Sequence, residues 1–554
     1  MNAEAAKKHI ALLSNVTADL LAARLRGSYT FYLPEGYDAW IQETLNPESG
    51  LYREKADAVI LLLDGTEARS WKDEGQARER LALWRQGAEA LCARMREIPV
   101  FLTTLDLRGN RIFSYAETGY ARALAAEWDA FIRTQMERQP NVYRIDLADR
   151  IADLGRSRFY ADKMWYLSSM PYSRDGLALA AREIDRALRA AFTPRKKLIA
   201  LDLDNTLWGG VIGEDGVDGI ELSDHKEGQR YYDFQRQLLE MKKRGVVLAL
   251  NSKNNPADAE EAIQKHPAML LRDEDFALRK INWDNKAANL KAISRELNLT
   301  MGGIVFVDDN PVERAVVSGE CPEALVPDFP GDTSTLLSFA EELWFDFFRP
   351  LRVLQEDLEK TRMYQQEALR RQEESQSLNL DDYISRLEMR ADIHRMRPEE
   401  LDRAAQLLGK TNQFNLTTRR YSKAELSALA ACPENRVYVA RSGDKYGENG
   451  LIALMILIPE GEDMRIDSFL MSCRVMGRKL EDVFVSRVAE SLPPTGLLIG
   501  DFFPTAKNVP VRELYDRLGF RLLREEEGRK RYVLPLDSLE KQDFSMYKEI
   551  VFEA

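Results

Sequence analysis

The sequence predicts a multidomain α/β protein, and three observations carry that prediction. The 554 residues exceed what one hydrophobic core holds, short apolar runs alternate with helical stretches, and several of those runs end in polar residues. A composition of 45% hydrophobic and 30% charged residues is that of an ordinary globular chain. No run approaches the roughly 20 apolar residues of a membrane span, so no membrane partner is expected. The start, Met1 to His9, lacks the apolar core of a signal peptide, which predicts a cytoplasmic location. A net charge of -12 argues against nucleic acid as a partner. Cys92, Cys321, Cys432 and Cys473 form no C-x-x-C pair, so reduced thiols are expected rather than disulfides or zinc. Four scattered histidines leave little material for histidine-based metal or triad chemistry.

Residues 1–193 carry apolar runs at 9–14, 57–65, 99–106 and 142–146 with helical stretches such as 78–95 between them, the rhythm of a parallel α/β layer. In residues 194–350, strands are expected at 197–204, 246–253 and 303–309, with helices at 229–244 and 285–297. Residues 351–388 mix both signs of charge densely, which suits a solvated helix bridging domains. In residues 389–554, strands are expected near 436–441, 451–458, 464–473 and 496–502, and helices near 478–491 and 509–518.

The chemistry gathers at strand ends in the second region. The run Leu198-Ile199-Ala200-Leu201-Asp202-Leu203-Asp204 delivers two carboxylates to the C-terminal end of an apolar strand, where open α/β sheets place their sites. Two-residue spacing puts Asp202 and Asp204 on one side, so together they can hold a divalent cation while one attacks and the other handles protons. Asp202-Leu203-Asp204-Asn205-Thr206 resembles the D-x-D-x-T motif of the haloacid dehalogenase (HAD) superfamily. Ser252, after the run 246–251, matches that superfamily's second motif, in which a hydroxyl holds phosphoryl oxygens. Lys286, opening a helix, stands about where its third-motif lysine is expected, with Lys280 as the competing candidate. Asp308 and Asp309 match the fourth motif and leave open which of them binds metal directly.

The resemblance implies that Asp202 attacks phosphorus, Asp204 serves as acid and base, and Thr206, Ser252 and Lys286 hold the phosphoryl group. Asp202, Asp204, Asp308 and Asp309 would then surround Mg²⁺. Roughly 34 residues separate Ser252 from Lys286, and the stretch before Ser252 is mostly one loop and one helix, shorter than a typical cap domain. An open site, suited to a phosphate carried on a protein or a long arm, is expected.

The longer run from Asp202 through Trp208-Gly209-Gly210-Val211-Ile212-Gly213-Glu214-Asp215-Gly216 resembles the FkbH-like family of that superfamily. So do Thr411-Asn412-Gln413-Phe414-Asn415-Leu416 and Phe469-Leu470-Met471-Ser472-Cys473-Arg474-Val475-Met476-Gly477-Arg478. This resemblance implies an enzyme of polyketide-type biosynthesis that takes 1,3-bisphosphoglycerate, removes its phosphates, and loads a glyceryl unit onto the phosphopantetheine thiol of an acyl carrier protein. A Mg²⁺-dependent phosphatase of another carrier-linked or small phosphate is the alternative, its last domain serving only as a binding module.

The first region loosely resembles an SGNH-hydrolase domain at both ends. Ser14 has no histidine in the late segment to activate it, so a non-catalytic domain is expected. The last region resembles the GNAT acyltransferase fold, which lays a pantetheine arm beside the long strand ending at Cys473. Asn412, Gln413, Asn415, Arg474, Gly477 and Arg478 would line that arm or its acyl group. Lys479 replaces the small residue that closes the usual phosphate loop. Cys473, beside Arg474, Arg478 and Lys479, is the candidate acyl acceptor, since positive charge and a helix start favour thiolate.

Overall fold

The computed structural model describes residues 7–353, 358, 360–411, 413–472, 475–539 and 541–554. The chain is a mixed α/β protein of two compact units, residues 1–291 with 300–360 and residues 292–299 with 361–554. The expected first and second regions therefore share one unit.

The N-terminal layer is a parallel sheet of β1 (Lys8–Ser14), β2 (Tyr29–Tyr32), β3 (Ala58–Leu62), β4 (Val100–Thr103) and β5 (Val142–Ile145) in the order β2-β1-β3-β4-β5. Strands buried on both faces read as continuous apolar runs, as Ala-Val-Ile-Leu-Leu does in β3. β2 escaped the sequence reading because its pattern is short and half polar.

In the second layer β6 (Leu198–Leu201), β7 (Val247–Ser252), β8 (Phe276–Ile281) and β9 (Ile304–Val307) form a parallel sheet ordered β8-β7-β6-β9. β6 is central, flanked by β7 and β9, so Asp202 leaves the middle of the sheet with neighbours on both sides. β8, an edge strand carrying Arg279 and Lys280, was not foreseen. The two layers meet through the helix Arg174–Phe192. Arg186 is buried, 2.6 Å from Glu183 and 2.7 Å from Asp346, and also bonds Glu342.

The second unit holds a mixed sheet of eight strands: β10 (Arg390–Arg395), β11 (Arg436–Asp444), β12 (Gly447–Glu460), β13 (Asp463–Met471), β14 (Leu497–Phe502), β15 (Arg521–Glu526), β16 (Arg529–Pro535) and β17 (Glu549–Glu553). Their order is β15-β16-β14-β13-β12-β11-β10-β17. β13 and β14 run parallel but pair only from Met464 to Ile466 with Leu498 to Gly500, and the bonds between them then cease. The segment Phe414 to Leu416 enters that gap. Leu416 N–H donates to Phe469 O at 3.1 Å, Met471 N–H to Phe414 O at 3.1 Å, and Phe503 N–H to Leu416 O at 2.8 Å.

The charged stretch forms the helix Lys360–Gln376, but it does not stand in solvent as a bridge. Arg370 is 4% exposed and its Nε donates to Asp444 at 2.7 Å, which fastens the helix to β11. The helix expected over 509–518 is instead the turn Val509–Val511 followed by the short helix Leu514–Arg517.

Candidate functional site

β6, β7 and β9 end side by side, and the sequence beyond each end turns sharply. Asn205 takes a left-handed backbone (φ 54°), and Gly210 does so too (φ 91°), where an added Cβ would lie 2.5 Å from Asp215 Oδ2. Asn310 caps the helix Pro311–Glu320 by accepting from Val312 N–H, and Asn285 accepts from Ala287 N–H at 2.7 Å to open Lys286–Glu296. These turns fix the backbone that carries the reactive groups.

Lys286 is 3% exposed, with its ammonium 2.8 Å from Asp202 Oδ2 and 2.5 Å from Asp308 Oδ2. Lys286, rather than Lys280, is thus the lysine that reaches the carboxylates. Burial alone would lower its pKa, yet the charges of Asp202 and Asp308 outweigh burial and hold it above its ordinary value. Burial and the Asp202 charge push Asp308 up to about 6 against the pull of Lys286, and the same two causes raise Asp309. Such mutual repulsion is what a cation would relieve.

Carboxylate oxygens of Asp202, Asp308 and Asp309 lie within 4.8 Å of one another. This all-oxygen set fits a hard divalent ion such as Mg²⁺. The Asp204 carboxylate is not in the cluster: it accepts from Trp208 Nε1 at 2.9 Å, Ile212 N–H at 3.1 Å and Asn254 Nδ2 at 2.9 Å. Asn254 also donates to Ser252 Oγ at 3.3 Å, which brings the second motif beside the first. Thr206 Oγ1 accepts from Asp309 N–H at 3.2 Å and ties the first motif to the fourth. Asn254 and Trp208 were missed in the sequence, although Asn254 follows Ser252 by the same two positions that separate Asp204 from Asp202.

No separate cap covers this arrangement among the described residues. Between Asp204 and Ser252 the chain forms the four-residue helix Ile212–Asp215, a single bridge from Gly209 to Glu221, a short turn and the helix Gln229–Lys242.

In the second unit Asn412, Cys473 and Arg474 lie outside the described residues. Gln413 is exposed. Asn415 is fully buried, with Oδ1 accepting from Thr418 N–H at 2.8 Å and its carbonyl accepting from Asn508 Nδ2 at 2.9 Å. Gly477 takes φ 77° and, with Phe414 and Met476, lines a cavity of about 750 Å³. Arg478 is 4% exposed and lies 3.7 Å from both Asp444 and Glu367. In the N-terminal layer Ser14 sits at the end of β1 and its Oγ accepts from Val16 N–H at 3.2 Å.

No family model matches the chain, and no curated protein matches it. Among solved structures it is similar to the N-terminal part of the protein BF1531 from Bacteroides fragilis, which contains a phosphatase domain and was crystallised in complex with Mg. The two are 27% identical, the match covers 62% of this chain and 95% of that one, and the TM-score is 0.58. Slighter similarity extends to the ribosomal-protein-S18-alanine N-acetyltransferase of Escherichia coli (13% identity, 28% of this chain, 99% of that one, TM-score 0.22) and an acetyltransferase of Thermus thermophilus (17%, 26%, 96%, 0.21). The larger match is thus to a phosphatase domain seen with an ion of the kind that this chain's all-oxygen cluster suits.

Proposed function

We propose that the chain is a Mg²⁺-dependent phosphatase that acts through an aspartyl-phosphate and is coupled to acyl transfer. It would take 1,3-bisphosphoglycerate and load a glyceryl unit onto the phosphopantetheine thiol of an acyl carrier protein. The observation that carries the phosphatase reading is Lys286 bridging Asp202 and Asp308, with Asp309 alongside. Mg²⁺ held by Asp202, Asp308 and Asp309 would neutralise charge on the phosphoryl oxygens.

In this reading an Asp202 oxygen forms a bond to phosphorus as the bond to the leaving oxygen breaks, and Asp204 gives that oxygen a proton. Asp204 then takes a proton from water, whose oxygen attacks phosphorus, frees inorganic phosphate and restores Asp202. Lys286 offsets charge on the attacking carboxylate, and Ser252 Oγ and Thr206 hold phosphoryl oxygens. The phosphate removed this way is the C3 ester. Hydrolysis of the C1 acyl phosphate would discard the activation that thioester formation needs. At C1 a thiolate attacks the acyl carbon and expels phosphate, and Cys473 is the residue proposed for that step. The FkbH-like resemblance supports the glyceryl substrate, the carrier protein and the GNAT-like reading of the second unit, and the SGNH-like layer is proposed to be non-catalytic.

The test is the intact mass of enzyme and holo carrier protein after incubation with Mg²⁺ and 1,3-bisphosphoglycerate generated in situ. A glyceryl adduct on the carrier supports the proposal, and any adduct on the enzyme should map to Cys473. Released phosphate without an adduct reduces the reading to a phosphatase of other substrates. Asp202→Asn should abolish phosphate release while the circular dichroism spectrum stays unchanged, and turnover retained in that variant sinks the mechanism.

A further inference from the structure

A substrate whose phosphoryl group sits at Asp202, Lys286 and Asp308 must leave the site across the surface around them. In residues 194–350 the most exposed large apolar side chains among the described residues are Trp283, at 73%, and Val312, at 66%. Trp283 lies two positions beyond β8, and Val312 stands in the first turn of the helix after β9. β8 and β9 are the two outer strands of the sheet, so these side chains flank its C-terminal edge, with Asp202 leaving β6 between them.

Trp283 is carried on a fixed turn. Asn282 N–H donates to Ser252 O at 3.1 Å, and Asn282 Oδ1 accepts from Asp284 N–H at 3.0 Å and from Asn289 Nδ2 at 2.9 Å. Asn251 Nδ2 donates to Lys286 O at 2.9 Å and closes the other end of the turn. Three residues of chain hold the Cα atoms of Trp283 and Lys286 within about 10 Å of each other. An indole with most of its surface in water adds little to the core, whereas at the mouth of a site it offers a ligand a rigid apolar face. The charges nearby do not favour a second anion. Asp284, next to Trp283, is exposed and forms no ion pair among the described residues, and Lys253 is already answered by Glu313 at 2.6 Å.

We infer that Trp283 binds the leaving-group end of the substrate, and that the site selects a phosphate monoester whose leaving group is uncharged and continues as an apolar chain. For the glyceryl unit this means a 3-phosphoglyceryl pantetheine thioester in preference to the free acid. The inference rests on the proposal that Asp202 removes the C3 phosphate, and it names the form in which that phosphate arrives. The phosphoryl group passes to Asp202 and then to water, the ester oxygen stays on C3 and takes a proton from Asp204, and the thioester is left intact. Methylene groups of the arm lie against the indole.

The experiment measures phosphate release by the full-length protein with Mg²⁺ on three monoesters: 3-phosphoglycerate, its S-methyl thioester and its pantetheine thioester. Burial of two methylene groups on an indole predicts a kcat/KM about tenfold higher for the pantetheine than for the S-methyl thioester, carried by KM. Trp283→Ala should bring the two thioesters to equal KM, and Trp283→Phe, which keeps a flat apolar face, should retain most of the difference. A thioester ratio unchanged in Trp283→Ala, whether or not the absolute rates fall, makes Trp283 a mere support of Lys286 and overturns the contact. Equal kcat/KM for the two thioesters in the wild type overturns it too and leaves the phosphatase reading in place. 3-Phosphoglycerate turned over as well as the S-methyl thioester overturns the preference for an uncharged leaving group. If none of the three esters releases phosphate, the C3 phosphatase reading itself fails and takes the inference with it.

Discussion

Asp204 shows how one residue's role is set by the donors around it. Three hydrogen bonds aim its carboxylate away from Lys286 and the cation cluster, and Asn254 is the only side chain that links it to Ser252 among the described residues. Asn254→Ala should therefore lower kcat for p-nitrophenyl phosphate by roughly 10- to 100-fold with little change in KM, because an unaimed acid costs transition-state stabilisation. A changed KM with unchanged kcat would assign Asn254 to substrate binding. Asp64, in the N-terminal layer, carries a different consequence. Burial pushes its pKa up to about 6, while Thr66 N–H bonds one oxygen at 2.8 Å. A carboxyl raised in the folded state binds its proton more tightly there than in the unfolded chain, so stability is lost as pH rises from about 4 to about 6. Asp64→Asn keeps the acceptor for Thr66 and removes the ionisation. Its unfolding free energy, from denaturant titration, should match the wild type at pH 4 and exceed it above pH 6 by about 3 kcal/mol, the free energy that a rise from about 4 to about 6 represents. A constant difference across that range would show that the group does not titrate on folding.

At the scale of elements, the helix Lys360–Gln376 was legible as a helix from its composition but not as a packed one. Charge along a sequence does not reveal that one arginine in it meets a buried partner. Arg370→Met should remove the closest cation from the buried Asp444 carboxylate, leaving Arg478 at 3.7 Å and the N–H groups of Tyr446 and Gly447, and destabilise the second unit by about 1–3 kcal/mol. Hydrolysis of p-nitrophenyl phosphate, which needs only first-unit residues, should be unaffected. A parallel loss of both properties would refute that separation. β6, β7 and β9 were readable because each is an apolar run buried on both faces that leads into polar residues. β15 was not, because all six of its residues are exposed and show no alternation. β8 hid behind its charged half, and the four residues of β2 are too few to show a period. Nor could the sequence announce that Phe414 to Leu416 would occupy the gap beside β13, since that placement depends on three hydrogen bonds across long separations.

For the whole molecule, the prediction concerns the ion. Chelation should abolish phosphate release without unfolding the protein. Mg²⁺ should restore it, whereas Ca²⁺, which demands more ligands at longer distances than three clustered carboxylates provide, should not. Activity that survives chelation would leave Lys286 as the sole source of positive charge at the phosphoryl group. No described helix is long and apolar enough to cross a membrane.

That no separate cap stands over Asp202 among the described residues bears finally on how substrate reaches it. A site closed by its own lid holds a small molecule long enough for chemistry, whereas a site without one would let most free phosphates leave again. Covalent attachment of the substrate to a carrier would replace that missing hold with effective concentration, in the millimolar range for a short flexible tether. The open surface then becomes selective through the length of a leash: what can be delivered repeatedly is processed, and what merely diffuses by is not.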